Sequence, residues 1–326
     1  MTTMNTQLGI VDEVTYGTVV TPTRFLEFNS ESVSLQMGRI ESSALRTGTR
    51  VMRSDRFEPF RIGAAGRLQL DVPTKGFGLF LKHMLGGASI ATVVDSNYVQ
   101  THIIATLLGD FFTMQMAKPF NPAGTVQAFT YHGCKVTDWT LSCDLDGFLV
   151  ADIGIDAEDE DTSTGLATAS YPSDFRCFSF VGAAVTFGGA SIELKNFSVS
   201  CDNALDTDRR YLRASALKKE PVENGMRQIE WSATADFSDL TQYNRFNSAT
   251  RAGALAAIVA TFDGPVVHGG SLLPRLEITI PAARFDAVDQ NVSGPEALMQ
   301  DISGVGLDNG SAAPITITYR TTDSAI

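Results

Sequence analysis

The residues best equipped for metal binding or nucleophilic chemistry in this 326-residue chain are four histidines and four cysteines, and their spacing supports neither use. His83, His102, His132 and His268 stand singly, and Cys134, Cys143, Cys177 and Cys201 form no C-x-x-C pair. A structural zinc needs four clustered ligands, whereas His132 and Cys134 supply only two. Asp144-x-Asp146-Gly147 opens like a calcium loop, but Phe148 and Val150 occupy positions that need oxygen ligands. Phosphate-cradling glycine motifs, H-E-x-x-H and G-x-S-x-G are missing. Paired carboxylates are too common in so acidic a chain to nominate a glycosidase. The expectation is a non-enzymatic protein with no metal and no cofactor. Its cysteines read as free thiols in the core.

The elements around these residues are mostly strands. Alternation of apolar and polar side chains marks half-buried β structure over Gly66–Val72, Asp138–Asp144, Leu149–Asp156, Ile229–Phe237, Leu276–Ile280 and Ile315–Arg320. Trp139 and Trp231 fall on apolar faces, and Asp144-Leu145-Asp146-Gly147 reads as a hairpin turn. Helical spacing is rare. Phe77, Phe80, Leu81, Met84 and Leu85 share one face after a capping Thr74, and Gly86-Gly87 ends the helix. A second, shorter helix is predicted from Ser238 to about Asn247.

Both helices follow an alternating strand, and further matches keep the same order. Phe28–Ser34 resembles Asn196–Ser200, and Ser43–Arg46 resembles Ser215–Lys218. Leu68–Val72 resembles Ile229–Ala233, and the turn at Leu145–Gly147 resembles Asp308–Ser311. The pattern predicts a mainly β fold of tandem duplicated β-sandwich or β-barrel modules, each with one flanking α-helix. The modules span 1–165 and 166–326. The boundary falls in Asp156–Ser173, whose acidic run reads as an exposed linker or hairpin end.

Charge is distributed unevenly. The net charge is −12, which argues against tight wrapping of nucleic acid. No apolar stretch is long enough for a membrane-spanning helix, and the first residues lack the pattern of a secretory signal. Yet residues 39–67 carry seven arginines, among them Arg39, Arg46, Arg50, Arg53 and Arg56, against three acids. Residues 206–220 hold a smaller basic group, Arg209, Arg210, Arg213, Lys218 and Lys219. Both stretches read as long loops that dock basic charge on acidic surfaces of other copies. The polar strand faces gather Asp71, Asp138, Asp144, Asp152, Asp156, Asp202, Glu230, Asp236 and Glu277 against Arg67 and Arg320.

Leu8–Thr18 with Pro22–Leu26 (a T-Y-G-T-x-x-x-P-T-R-F start), Val72–Gly78, Phe129–Val136 and Ala235–Asp239 resemble the tail tube proteins of long-tailed bacteriophages, in particular two-module members. The similarity covers most of the chain and is weakest over Gly269–Asp301. It implies β-sandwiches whose sheets join those of neighbours into a continuous barrel, in rings stacked head to tail through loops and the N-terminal arm. A duplicated chain then makes a pseudo-sixfold ring from three copies rather than six. The tape measure protein fills the lumen during assembly, and the genome passes through it later. Other implied partners are the tail terminator and tail-tip proteins. The implied location is the virion tail, assembled in the host cytoplasm. The expected lumen-facing residues are Asp71, Asp144, Asp202, Glu230 and Asp236, because carboxylates repel phosphate and let DNA slide. Arg39, Arg46, Arg50, Arg53, Arg56, Arg209, Arg210, Lys218 and Lys219 are the expected contacts between subunits and rings. The alternatives are a capsid decoration or tail-tip module, the inner tube of a contractile tail, or a carbohydrate-binding β-sandwich.

Overall fold

Period-2 patterning folds as antiparallel strands because one face of each can be buried while ladders satisfy the backbone. The computed structural model describes every residue except 1–2, 95–96, 121–124, 175, 249–250, 252, 266–271, 293 and 296, so His268 lies outside the described residues. The N-terminal half runs β1 (Leu8–Asp12), β2 (Arg24–Leu26), β3 (Ser30–Glu31), β4 (Ser34–Glu41), β5 (Phe57–Asp71), α1 (Gly78–Leu85), β6 (Gly86–Val94), β7 (Asn97–Ile104), β8 (Phe112–Pro119), β9 (Val126–Asp144), β10 (Val150–Ala157) and β11 (Asp159–Asp161). The C-terminal half runs β12 (Ala183–Phe187), β13 (Ala190–Ile192), β14 (Leu194–Asp202), β15 (Leu205–Asp206), β16 (Val222–Glu223), β17 (Gln228–Asp236), α2 (Thr241–Phe246), β18 (Ala256–Asp263), β19 (Arg275–Asp289), β20 (Met299–Gly306) and β21 (Thr316–Thr321). The fold is mainly β.

Two long strands each serve two ladders. The first part of β9 pairs with β8 and β11, and its remainder pairs with β10 and β14. In the same way β19 pairs with β18 and β21 before it pairs with β20. One sheet therefore runs β4–β5–β10–β9–β14–β17–β20–β19 across both halves. A second joint between the halves is the β7–β21 ladder. Leu68, Trp139, Ile153, Val199, Trp231 and Ile302 lie on the buried side of the long sheet, in one core cluster that spans the chain.

Helix α1 buries most of its residues and ends where the sequence predicts, with Gly86 at φ 92 and its N–H bonded to the Lys82 carbonyl. Only glycine adopts that left-handed cap without strain. Thr74 is not its cap. The helix begins at Gly78, and the backbone of Thr74 instead donates to the Arg176 carbonyl and accepts from Thr321 Oγ1. Helix α2 begins three residues later than predicted, where Asp239 Oδ1 accepts from the Thr241 N–H.

Two expectations need correction. Asp156 and Glu158 are buried and Asp159–Asp161 forms β11, so the start of the acidic run is part of the sheet and not an exposed linker. Residues 39–67 are no loose loop either. They form a long β4–β5 hairpin in which Gln36 pairs with Gly63 and Glu41 with Phe57, leaving only the tip, 42–56, without a ladder. The arginines hid this hairpin because both of its faces are solvated, which removes the apolar alternation.

Candidate functional site

Residues directly opposite each other in a ladder share a face, so the register assigns the polar face of the long sheet. One row across it is Asp71, Val150, Ser142, Ser198, Ser232 and Ser303. The next is Gln69, Asp152, Thr140, Ser200, Glu230 and Val305. Asp144, Asn196, Thr234, Asp301 and Asp289 form a third, and Asp138 beside Asp202 begins a fourth. Asp236, two residues beyond Thr234 on β17, faces the same way. The fold thus gathers Asp71, Asp144, Asp202, Glu230 and Asp236 on one face of a sheet that crosses both halves. Four are exposed and Asp71 is half-buried.

Hydrogen bonds order this face without covering it. Arg67 lies 2.7 Å from both Asp138 and Asp152, neutralising part of the charge on the N-terminal half. Asn29 Nδ2 donates to Asp71 at 2.8 Å, the Ala204 N–H donates to Asp202 at 2.8 Å, and Thr234 Oγ1 donates to Asp301 at 2.7 Å. A shallow cavity of about 330 Å³ is lined by Ser198, Ser200, Glu230, Ser232, Asp286 and Ser303. Asp286 and Asp289 escape the alternation because β19 bulges near Asp286 and ends at Asp289, and Asp301 escapes it because β20 is rich in small residues.

Two acids placed on polar strand faces by the sequence lie elsewhere. Asp156 is buried and ion-paired to Lys218. Glu277 sits on the part of β19 that pairs with β18 and β21, where Thr261 Oγ1 donates to it.

The two basic segments differ from each other. At the β4–β5 tip Arg53 makes a bidentate pair with Asp55 at 2.9 and 2.7 Å, and Arg56 lies 3.8 Å from the same carboxylate. Among the described residues Arg39, Arg46 and Arg50 make no ion pair, and Leu45, Val51 and Met52 beside them are exposed. The second segment, between β15 and β16, folds back onto the N-terminal half. Arg210 donates to the Ala216 and Ile62 carbonyls, Arg209 to the Glu220 carbonyl, and Lys219 lies 5.0 Å from the Tyr211 ring centroid. Lys218 meets Asp156, while Glu220 accepts from buried Lys135 at 2.7 Å. Burial pushes the Asp156 carboxyl up and the nearby Lys218 ammonium opposes that shift. Lys218 and Arg210, expected to meet other subunits, make these contacts within their own chain.

Near this joint Glu13 accepts from the Gly17 and Gly133 N–H groups and from Thr113 Oγ1. Glu158 lies 3.9 Å from His132, and burial, with Asp159 and Glu13 adding repulsion against the pull of Arg213 and Lys218, raises its pKa to about 7. The cysteines are free thiols, three buried and Cys177 half-buried. No cluster of His, Cys, Asp or Glu among the described residues could hold a metal ion.

The chain is mainly β, with a solvated acidic sheet face and one projecting basic hairpin, β4–β5. A family model described as phage tail tube protein matches residues 3–306, so the chain belongs to the phage tail tube protein family and is a structural component of the virion tail. Comparison with curated proteins gives no match.

Proposed function

We propose that the chain polymerises into stacked rings that form the tube of a long non-contractile tail, and that the polar sheet face lines the lumen through which the genome leaves. The observation that carries this reading is the gathering of Asp71, Asp144, Asp202, Glu230 and Asp236 on one face of a sheet spanning both halves. Fixed carboxylates and hydroxyls repel phosphate while staying wet, so DNA slides and does not stick. The tape measure protein occupies the same lumen before the genome does, and the terminator and tail-tip proteins close the ends. Assembly takes place in the host cytoplasm.

Ladder order supports the two modules, 1–165 and 166–326. In the N-terminal half Leu68 pairs with Ile153 and Ile153 with Trp139, and in the C-terminal half Ala233 pairs with Ile302 and Ile302 with Val288. This sets Leu68 beside Ala233, four residues from the match with Ile229 that composition suggested. Each chain brings one eight-strand sheet with an open edge at either end, and open edges seek partners. Three copies closing on one another give a pseudo-sixfold ring, which we favour over a ring of six chains. The test is a cryo-EM rotational average of self-assembled material. Three chains per ring are expected, and six chains per ring would overturn the stoichiometry. The arginines of the β4–β5 tip, Arg46 and Arg50 without an ion pair and Arg53 and Arg56 beside Asp55, serve the contact between rings. Replacing Arg46, Arg50, Arg53 and Arg56 by Ala should leave isolated rings at moderate salt, while tubes of normal length would remove that role.

A further inference from the structure

We propose that β4 carries the edge that receives a second copy, in a register set by the joint inside the chain, and that side chains guard this edge until the copy arrives. The proposal rests on the ring reading above. Inside the chain, β14 lies beside β9 with Asp202 opposite Asp138, Cys201 opposite Trp139 and Ser200 opposite Thr140. The ladders to β5 and β17 make Ser34, Leu35 and Gln36 the counterparts of Ser200, Cys201 and Asp202, since they pair with Ala65, Ala64 and Gly63 as those pair with Glu230, Ile229 and Gln228. The counterparts of Asp138 and Trp139 are Ala287 and Val288, which meet Ser303 and Ile302 as Asp138 and Trp139 meet Gly154 and Ile153. Repeating the joint between copies sets Gln36 against Ala287, Leu35 against Val288 and Ser34 against Asp289.

Two observations mark this edge as incomplete in one chain. Leu35 is 39% exposed, whereas its counterpart Cys201, covered by β9, is 2% exposed. Among the described residues no strand pairs with Ser34–Gln36 on the side away from β5, or with Ala287–Asp289 on the side away from β20. An apolar side chain beside an open backbone edge is completed by another strand, and the complementary edge at the far end of the same sheet makes a second copy the fitting occupant.

The edge is not left open to every strand. At Val33, between β3 and β4, the N–H donates to Glu31 Oε2 at 3.0 Å, and the carbonyl accepts from Tyr131 Oη at 2.8 Å and Lys118 Nζ at 3.4 Å. Lys118 also pairs with Glu31 at 2.9 Å, which ties the three side chains together. The counterpart of Val33 is Val199, whose backbone lies in ladders on both sides, opposite Leu141 and Trp231. A joining strand must displace the side chains at Val33, so the edge resists casual pairing and opens to a partner that supplies the whole register.

Disulfide trapping tests the register. Rings of the double variant Ser34→Cys/Asp289→Cys, oxidised after assembly, should give covalent multimers that end at the number of copies per ring, and each single variant should give none. Ser34→Cys/Ala287→Cys, shifted by two residues, should link at least about tenfold less, because the geometry of the bond tolerates little displacement. Equal or better linking of the shifted pair, or no linking in rings seen by microscopy, overturns the register and leaves the ring reading standing. Absence of any ring in the unmodified protein overturns both. The guard is tested with Lys118→Met, followed by light scattering. Removing one side-chain bond from the edge should speed assembly about fivefold, and an unchanged or slower rate overturns the guard.

Discussion

Glu158 shows how far a single side chain can depart from what its neighbours in sequence suggest. It belongs to an acidic run, yet it is buried beside Gly17 and His132, and its pKa rises to about 7. A carboxyl whose pKa is higher in the folded state stabilises the fold below its unfolded value, and that contribution is lost as pH climbs through the folded one. Between about pH 4.5 and 7, Glu158 therefore makes stability fall with rising pH. Glu158→Gln should remove that slope and stabilise the protein at pH 8 by up to about 3 kcal/mol, read from urea midpoints at pH 4.5 and 8. His102 has the opposite sign. Burial holds its pKa at about 4, so it favours the fold above its ordinary 6.5 and loses that contribution as pH falls. Neither ring nitrogen has a partner among the described residues. His102→Leu should be neutral to about 1 kcal/mol stabilising at pH 7, with a larger gain at pH 5.

At the scale of elements, the segment between β15 and β16 is held on the N-terminal half by Lys218 and Asp156 and by Glu220 and Lys135. Removing one member of a buried pair strands the other charge. Lys218→Met should cost about 3–5 kcal/mol, with Lys218→Met/Asp156→Asn recovering much of it, and a urea series on the three proteins measures both. The strands were legible wherever one face is dry: Trp139 and Trp231 lie in the core as their spacing predicts, and Gly86 ends α1 where it should. The fate of Asp156 was not legible, because its partner Lys218 lies 62 residues along the chain and alternation reports only local faces. The β4–β5 hairpin escaped notice for the converse reason, both of its faces being wet. Of the polar face, the seven acids Asp71, Asp138, Asp144, Asp152, Asp202, Glu230 and Asp236 were readable, whereas Asp286 and Asp289 sit where β19 bulges or ends.

For the whole molecule, the acidic face makes a prediction that no isolated residue can. Reversing Asp71 and Glu230 to Lys puts cations on two strands of one sheet, the first at the half-buried position that accepts from Asn29 and the second at an exposed one. Tubes should still assemble, and DNA ejection from reconstituted particles should slow, increasingly so at low salt. Normal ejection kinetics would place the lumen on another surface. Mechanical behaviour follows from β9, which is clamped at one end between β8 and β11 and at the other between β10 and β14. A pull along this strand loads its ladders in shear, so many hydrogen bonds must fail together and cannot unzip one by one. Tension along β9 is therefore carried by one continuous covalent girder that links its two sets of ladders within the chain.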